Sequence, residues 1–70
     1  MKFKFTCQTA DYFYHDYEGT LRGAKNAASK YYDAHAVIEI WDVVVYEDTG
    51  TEVVSDQVAV KRDGKWTDCQ

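Results

Sequence analysis

Two cysteines (Cys7, Cys69), two histidines (His15, His35) and twelve carboxylates are the groups that could carry chemistry in this 70-residue chain. A Cys–His couple would place a thiolate beside an imidazole as a nucleophile with its base. A zinc site would gather four ligands, usually delivered as closely spaced pairs. Here each thiol and each imidazole stands singly, far from the next. The pattern therefore predicts small thiols and surface imidazoles, and no metal. The chain contains neither a Walker loop nor a dinucleotide fingerprint. Twelve carboxylates in so short a chain produce pairs by number alone, so pairing does not signal a hydrolase. The sequence is read as a protein without catalysis and without a cofactor.

Charge is more informative. Residues 1–30 carry five bases and three acids. Residues 31–60 carry seven acids (Asp33, Glu39, Asp42, Glu47, Asp48, Glu52, Asp56) and no Lys or Arg. The last ten residues carry Lys61, Arg62 and Lys65 against Asp63 and Asp68, and the whole sums to −4. One part of the molecule should attract basic surfaces, and the segment holding Arg22, Lys25 and Lys30 acidic ones. A sequence pI near 4.9 argues against a dedicated DNA binder, whose affinity rests on neutralising phosphates.

These groups must be positioned by local structure. Phe3, Phe5 and Cys7 alternate with Lys2, Lys4 and Thr6, which predicts a half-buried strand over 2–9. Thr9-Ala10-Asp11 is read as a turn back into the aromatic strand DYFYHDYE (11–18). Thr20 can cap a helix over about Thr20–Asp33, with Leu21, Ala24, Ala28 and Tyr31 as its apolar stripe. Gly23 weakens that helix by about 1 kcal/mol relative to alanine but permits close approach to a sheet. AVIEIWDVVVYE is the strongest strand signal, its alternation slipping near Trp41-Asp42 as at a bulge. EDTGTE (47–52) is a turn and VVSDQVAVK (53–61) a strand, with Val54, Val58 and Val60 in phase. Asp63-Gly64 marks a tight hairpin, so KWTDC must return as the last strand. The order is β-β-α-β-β-β: an α+β fold with an antiparallel sheet of about five strands and one helix on a face.

Length bounds the rest. Seventy residues make one domain, 1–70. At 46% hydrophobic residues the chain is too apolar to be disordered. No stretch approaches the roughly 20 apolar residues of a membrane span, and MKFKFTCQT alternates unlike a secretory signal. A cytoplasmic protein is expected, with Cys7 and Cys69 as thiols, unless the first and last strands are neighbours and oxidation joins them.

EGT (18–20), AKNAASK (24–30) and VAVKRDGKWTDCQ (58–70) resemble segments of small phage-type anti-CRISPR proteins, the compact families that inhibit type I-F surveillance complexes. The likeness spans a third of the chain. It lies in length, in a helix of the form Ala-Lys-x-x-Ala, and in a last hairpin ending Trp-x-Asp-Cys-Gln. The resemblance implies stoichiometric, non-catalytic inhibition inside a bacterial host cell. The inhibitor would dock on the Cas backbone subunits that hold the crRNA, block target DNA, and touch DNA weakly and non-specifically. It implies Lys25, Asn26 and Lys30 as the contact set, flanked by Lys61, Arg62 and Lys65, and the charge of the helix adds Arg22 to the partner-binding residues. DYFYHDYE and the acidic pair at 39–56 depart from the family pattern, which leaves the target subunit and the CRISPR subtype open.

Two further readings stand beside it. Glu47, Asp48, Glu52 and Asp56, clustered near one hairpin, would imitate duplex phosphates in a basic channel of this or another DNA-binding enzyme. Alternatively, Tyr31, Tyr32 and Trp41 would be buried in an oligomer or around a small aromatic ligand.

Overall fold

A computed structural model describes residues 1–8 and 11–69, with Asp11 and Tyr12 described by backbone alone. The predicted turn residues Thr9 and Ala10 lie outside the described residues. The elements are β1 (Lys2–Cys7), β2 (Asp11–Glu18), α1 (Leu21–Tyr31), β3 (Ile38–Val45), β4 (Glu52–Arg62) and β5 (Lys65–Asp68). The five strands form one sheet in the order β2-β1-β3-β4-β5. Every neighbouring pair is antiparallel. Because β1 opposes both β2 and β3, those two run parallel, and α1 crosses over β1 between them.

The alternation expected of the first strand holds. Phe3, Phe5 and Cys7 are buried on the helix side with Ile38 and Ile40 of β3, beneath Ala24 and Ala28 of α1. Thr20 is the N-cap, its Oγ1 accepting the Gly23 N–H at 3.0 Å. The tyrosine closing the helix stripe is Tyr32 and not Tyr31. Tyr31 is 59% exposed and Tyr32 only 9%, because α1 ends at Tyr31 and the extended cap residue swings inward.

Gly23 does serve a close approach. A Cβ there would stand 2.1 Å from the Tyr17 hydroxyl, and one at Gly19 would stand 3.0 Å from the same ring. The Tyr17 ring thus occupies a seat formed by two glycines at the start of α1.

The irregularity expected at Trp41-Asp42 is present, but the extra residues sit on the partner strand. β3 keeps an unbroken register with β1, Phe3 to Asp42 through Cys7 to Ile38. Its register with β4 shifts between Ile40 and Trp41 and again between Trp41 and Val43. The phase read from the sequence is met only at Val58, which lies at a bulge and packs against the core. Ala59 and Lys61 face inward opposite Ile40 and Ile38, and Val60 faces outward opposite Glu39. The two one-residue bulges on β4 cancel, so that Val53 shares the side of Ala59 and Lys61.

The closing strand is real. Asp63 (φ 52°) and Gly64 (φ 77°) both take left-handed conformations, the requirement of a two-residue type I′ hairpin. Trp66 packs against the core, and its Nε1 donates to Ser29 Oγ at 3.2 Å. Cys7 and Cys69 are thiols. With β3 and β4 between their strands they lie roughly 14 Å apart at about 4.8 Å per strand, beyond disulfide reach.

Candidate docking surfaces

The basic residues of the sequence reading are divided among three places. Arg22, Asn26 and Lys30 recur every fourth residue and form one exposed row along the outer side of α1. Lys25 is turned towards β5, where it pairs with Asp68 at 2.5 Å. Lys61 is buried: its Nζ donates to Ser29 Oγ at 3.3 Å and lies 6.0 Å from the Trp66 ring. Arg62 and Lys65 are exposed and directly opposed across the last hairpin. By alternation from Lys61 they lie on the sheet face away from α1. The seven residues therefore do not converge on one surface.

Ser29 carries a Ser–Lys pair at hydrogen-bond distance, which on geometry alone suggests a nucleophile with its base. Its oxygen accepts from both the Trp66 N–H and the Lys61 ammonium. An oxygen so engaged is an anchor for the β4–β5 hairpin. Among the described residues, no three His, Cys, Asp or Glu side chains are grouped to hold a metal ion.

The acidic residues do share one element. The β1–β3 ladder ends at Asp42 and the β4–β5 ladder spans only Ala59–Arg62. Beyond those limits β3 and β4 have only each other, among the described residues, and continue as an arm. The arm helps to stretch the molecule to 40 Å against 23 and 18 Å in the other directions. Its end is closed by Tyr46 N–H to the Thr51 carbonyl (2.9 Å) and Gly50 N–H to the Tyr46 carbonyl (2.7 Å), with Gly50 at φ 70°. Glu47 and Asp48 stand exposed in this turn, and Glu52 and Asp56 are exposed on the returning strand. Lys2 reaches Glu52 at 2.8 Å and is the arm's nearest neutralising group. That bond, with the added attraction of Glu18 and Asp16, raises the Lys2 pKa.

A cleft of about 300 Å³ lies at the root of the arm, lined by Lys2, Asp16, Glu18, Val43 and Glu52 among others. Asp16 is held there by Lys4 at 2.6 Å, and this hydrogen bond together with the charge lowers its pKa. The aromatic trio read as an oligomer or ligand site is dispersed. Tyr32 is buried, Tyr31 lies exposed against His15 with ring centres 4.4 Å apart, and Trp41 is half-buried on β3, opposite Lys4 of β1.

No helix of the described residues is long and apolar enough to cross a membrane. Comparison with protein-family models, with curated proteins and with solved structures finds no match to this chain.

Proposed function

We propose that this protein is a stoichiometric inhibitor that works by docking, not by catalysis, and that its β3–β4 arm is the docking element. The resemblance of α1 and the last hairpin to anti-CRISPR proteins makes a type I surveillance complex the target of this reading. The observation that carries it is the arm itself, with Glu47, Asp48, Glu52 and Asp56 and no Lys or Arg within it. Such a projection suits a groove lined with the Lys and Arg that hold nucleic acid, and would compete with target DNA for that groove. The alternative contact, the Arg22–Asn26–Lys30 row, is favoured by its exposure and its single helical face.

The test is to add purified protein to type I surveillance complexes and measure target-DNA binding. Inhibition should saturate near one copy per binding site. Glu47→Lys with Asp48→Lys should abolish it, while Arg22→Glu with Lys30→Glu should leave it intact. The reverse pattern moves the contact to α1. Undiminished DNA binding in every subtype removes the anti-CRISPR assignment.

A further inference from the structure

The arm is apolar as well as acidic. Val44 and Val53 are paired across it and remain 40% and 41% exposed, and Tyr46 at the turn is 55% exposed. Alternation from Ile38 and Ile40 puts Val44, and with it Val53, on the side of the sheet that carries α1. Met1, 79% exposed, continues the phase of Phe3 and Phe5 on that same side, and its carbonyl accepts the Gly19 N–H at 2.8 Å just before the helix. These four residues are uncovered for one reason: α1 begins at Leu21 and runs away from the arm, so the helical layer stops short of it. Four of the eight large apolar residues exposed among the described residues thus line one shelf beside the N-terminus of α1.

We propose that this shelf receives an amphipathic basic helix of the partner protein, its apolar stripe on Met1, Val44, Tyr46 and Val53 and its Lys or Arg against Glu47 and Asp48. The proposal deepens the arm-docking reading and rests on it. Three observations select this occupant. The shelf continues the layer in which α1 already packs on the sheet, so a second helix extends an existing arrangement. The rim is acidic, which selects cations. The β4 edge of the arm is poorly suited to adding an extended peptide, because β4 carries two bulges and an incoming ladder there would be irregular. A second copy of this chain is disfavoured, because each copy would bring the same acids to the same rim.

The probe is a synthetic 18-residue peptide of Leu and Lys in amphipathic helical order. Two companions are needed: one with Glu for Lys, and one with Ser for Leu that keeps the charge. Binding is followed by amide chemical shifts of the full chain. The Leu/Lys peptide should bind, with shifts centred on Val44, Tyr46 and Val53. Its affinity should fall at least about tenfold in the Val44→Ser, Val53→Ser double variant, as expected when apolar anchors are removed. The Leu/Glu peptide should not bind. Equal binding by the Ser/Lys peptide, or unaltered affinity in the double variant, overturns the proposal. So does concentration-dependent self-association of the protein that the same double variant abolishes, because a second copy then covers the shelf. No surveillance complex enters this experiment, so its failure is distinguishable from failure of the inhibitor reading.

Discussion

Alanine at position 23 should destabilise the protein, although helix propensity alone says the opposite. Replacing a helical glycine by alanine is worth up to about 1 kcal/mol in favour of folding. Against this, the new Cβ would lie 2.1 Å from the Tyr17 hydroxyl and 2.9 Å from Cζ of the same ring. Ordinary contact begins near 3.4 Å, so the ring must retreat by more than 1 Å. It also lies close to Gly19 and packs against the core, so its retreat disturbs other contacts. Overpacking of this kind costs about 1–3 kcal/mol. The balance is a net loss of about 1 kcal/mol, or roughly 4–8 °C in melting temperature for a domain this small. Urea unfolding, followed by far-ultraviolet circular dichroism and by tryptophan fluorescence, measures it. The decisive comparison uses Tyr17 variants. In a Tyr17→Phe background the penalty should shrink, because the nearest atom is gone while Cζ remains close. In a Tyr17→Leu background the sign should reverse, and Gly23→Ala should stabilise by a few tenths to about 1 kcal/mol. A higher melting temperature for Gly23→Ala in the otherwise unaltered protein would refute the two-glycine seat.

Three other outcomes are expected. Ser29→Ala removes the oxygen shared by Trp66 Nε1 and Lys61 Nζ, leaving a buried ammonium short of a partner. It should cost about 1–3 kcal/mol and alter Trp66 fluorescence, whereas Lys61→Met, which replaces the ammonium with an apolar chain, should cost much less. Asp16 has a lowered folded pKa because of Lys4, so its contribution is present above the unfolded carboxylate value and is lost as pH falls through the folded one. A Lys4→Met variant should show Asp16 titrating at higher pH by nuclear magnetic resonance and less loss of stability on acidification, the effect staying below about 1 kcal/mol for so exposed a pair. Cys69 should react with a thiol reagent in the native state and Cys7, with no exposed surface, only on unfolding; a Cys7–Cys69 disulfide formed under oxidation without loss of structure would contradict the strand order.

Much of the fold was legible because its signals are local. Alternation from Lys2 to Cys7, the Thr20 cap and the Asp63-Gly64 turn each specify an element from a few adjacent residues, and all three are present. The number of strands and their order along the chain followed from those signals; their order within the sheet, β2-β1-β3-β4-β5, depends on pairings between distant segments and did not. The inward face of β4 was not legible, and the reason is physical. Val54, Val58 and Val60 look like an apolar row, but phase in a strand is set by its neighbour. Pairing with Ile40 and Ile38 puts Ala59 and Lys61 inside, and of the valine row Val58 alone, at a bulge, packs against the core. A lysine at an inward position reads as surface charge until Ser29, 32 residues away, and Trp66, across the hairpin, are seen to enclose it.

The same distinction separates the two charged sets. Charge summed along the chain survives folding only where the residues stay on one element. The acids from Asp42 to Asp56 lie on two adjacent strands and their turn, so a base-free stretch of sequence becomes a base-free arm. The bases come from a helix and from a hairpin whose residues alternate between faces, so Lys61 goes inward while Arg62 and Lys65 go to the far side. Lys25 is then neutralised by Asp68, which only the docking of β5 against α1 brings near. What remains of the basic set is the Arg22–Asn26–Lys30 row, with two cations, against an arm with four acids, one of them paired with Lys2. On electrostatic grounds the arm is the stronger steering element. The asymmetry also makes the choice measurable: association steered by the arm should slow as salt is raised, and reversing Glu47 and Asp48 should remove most of that salt dependence.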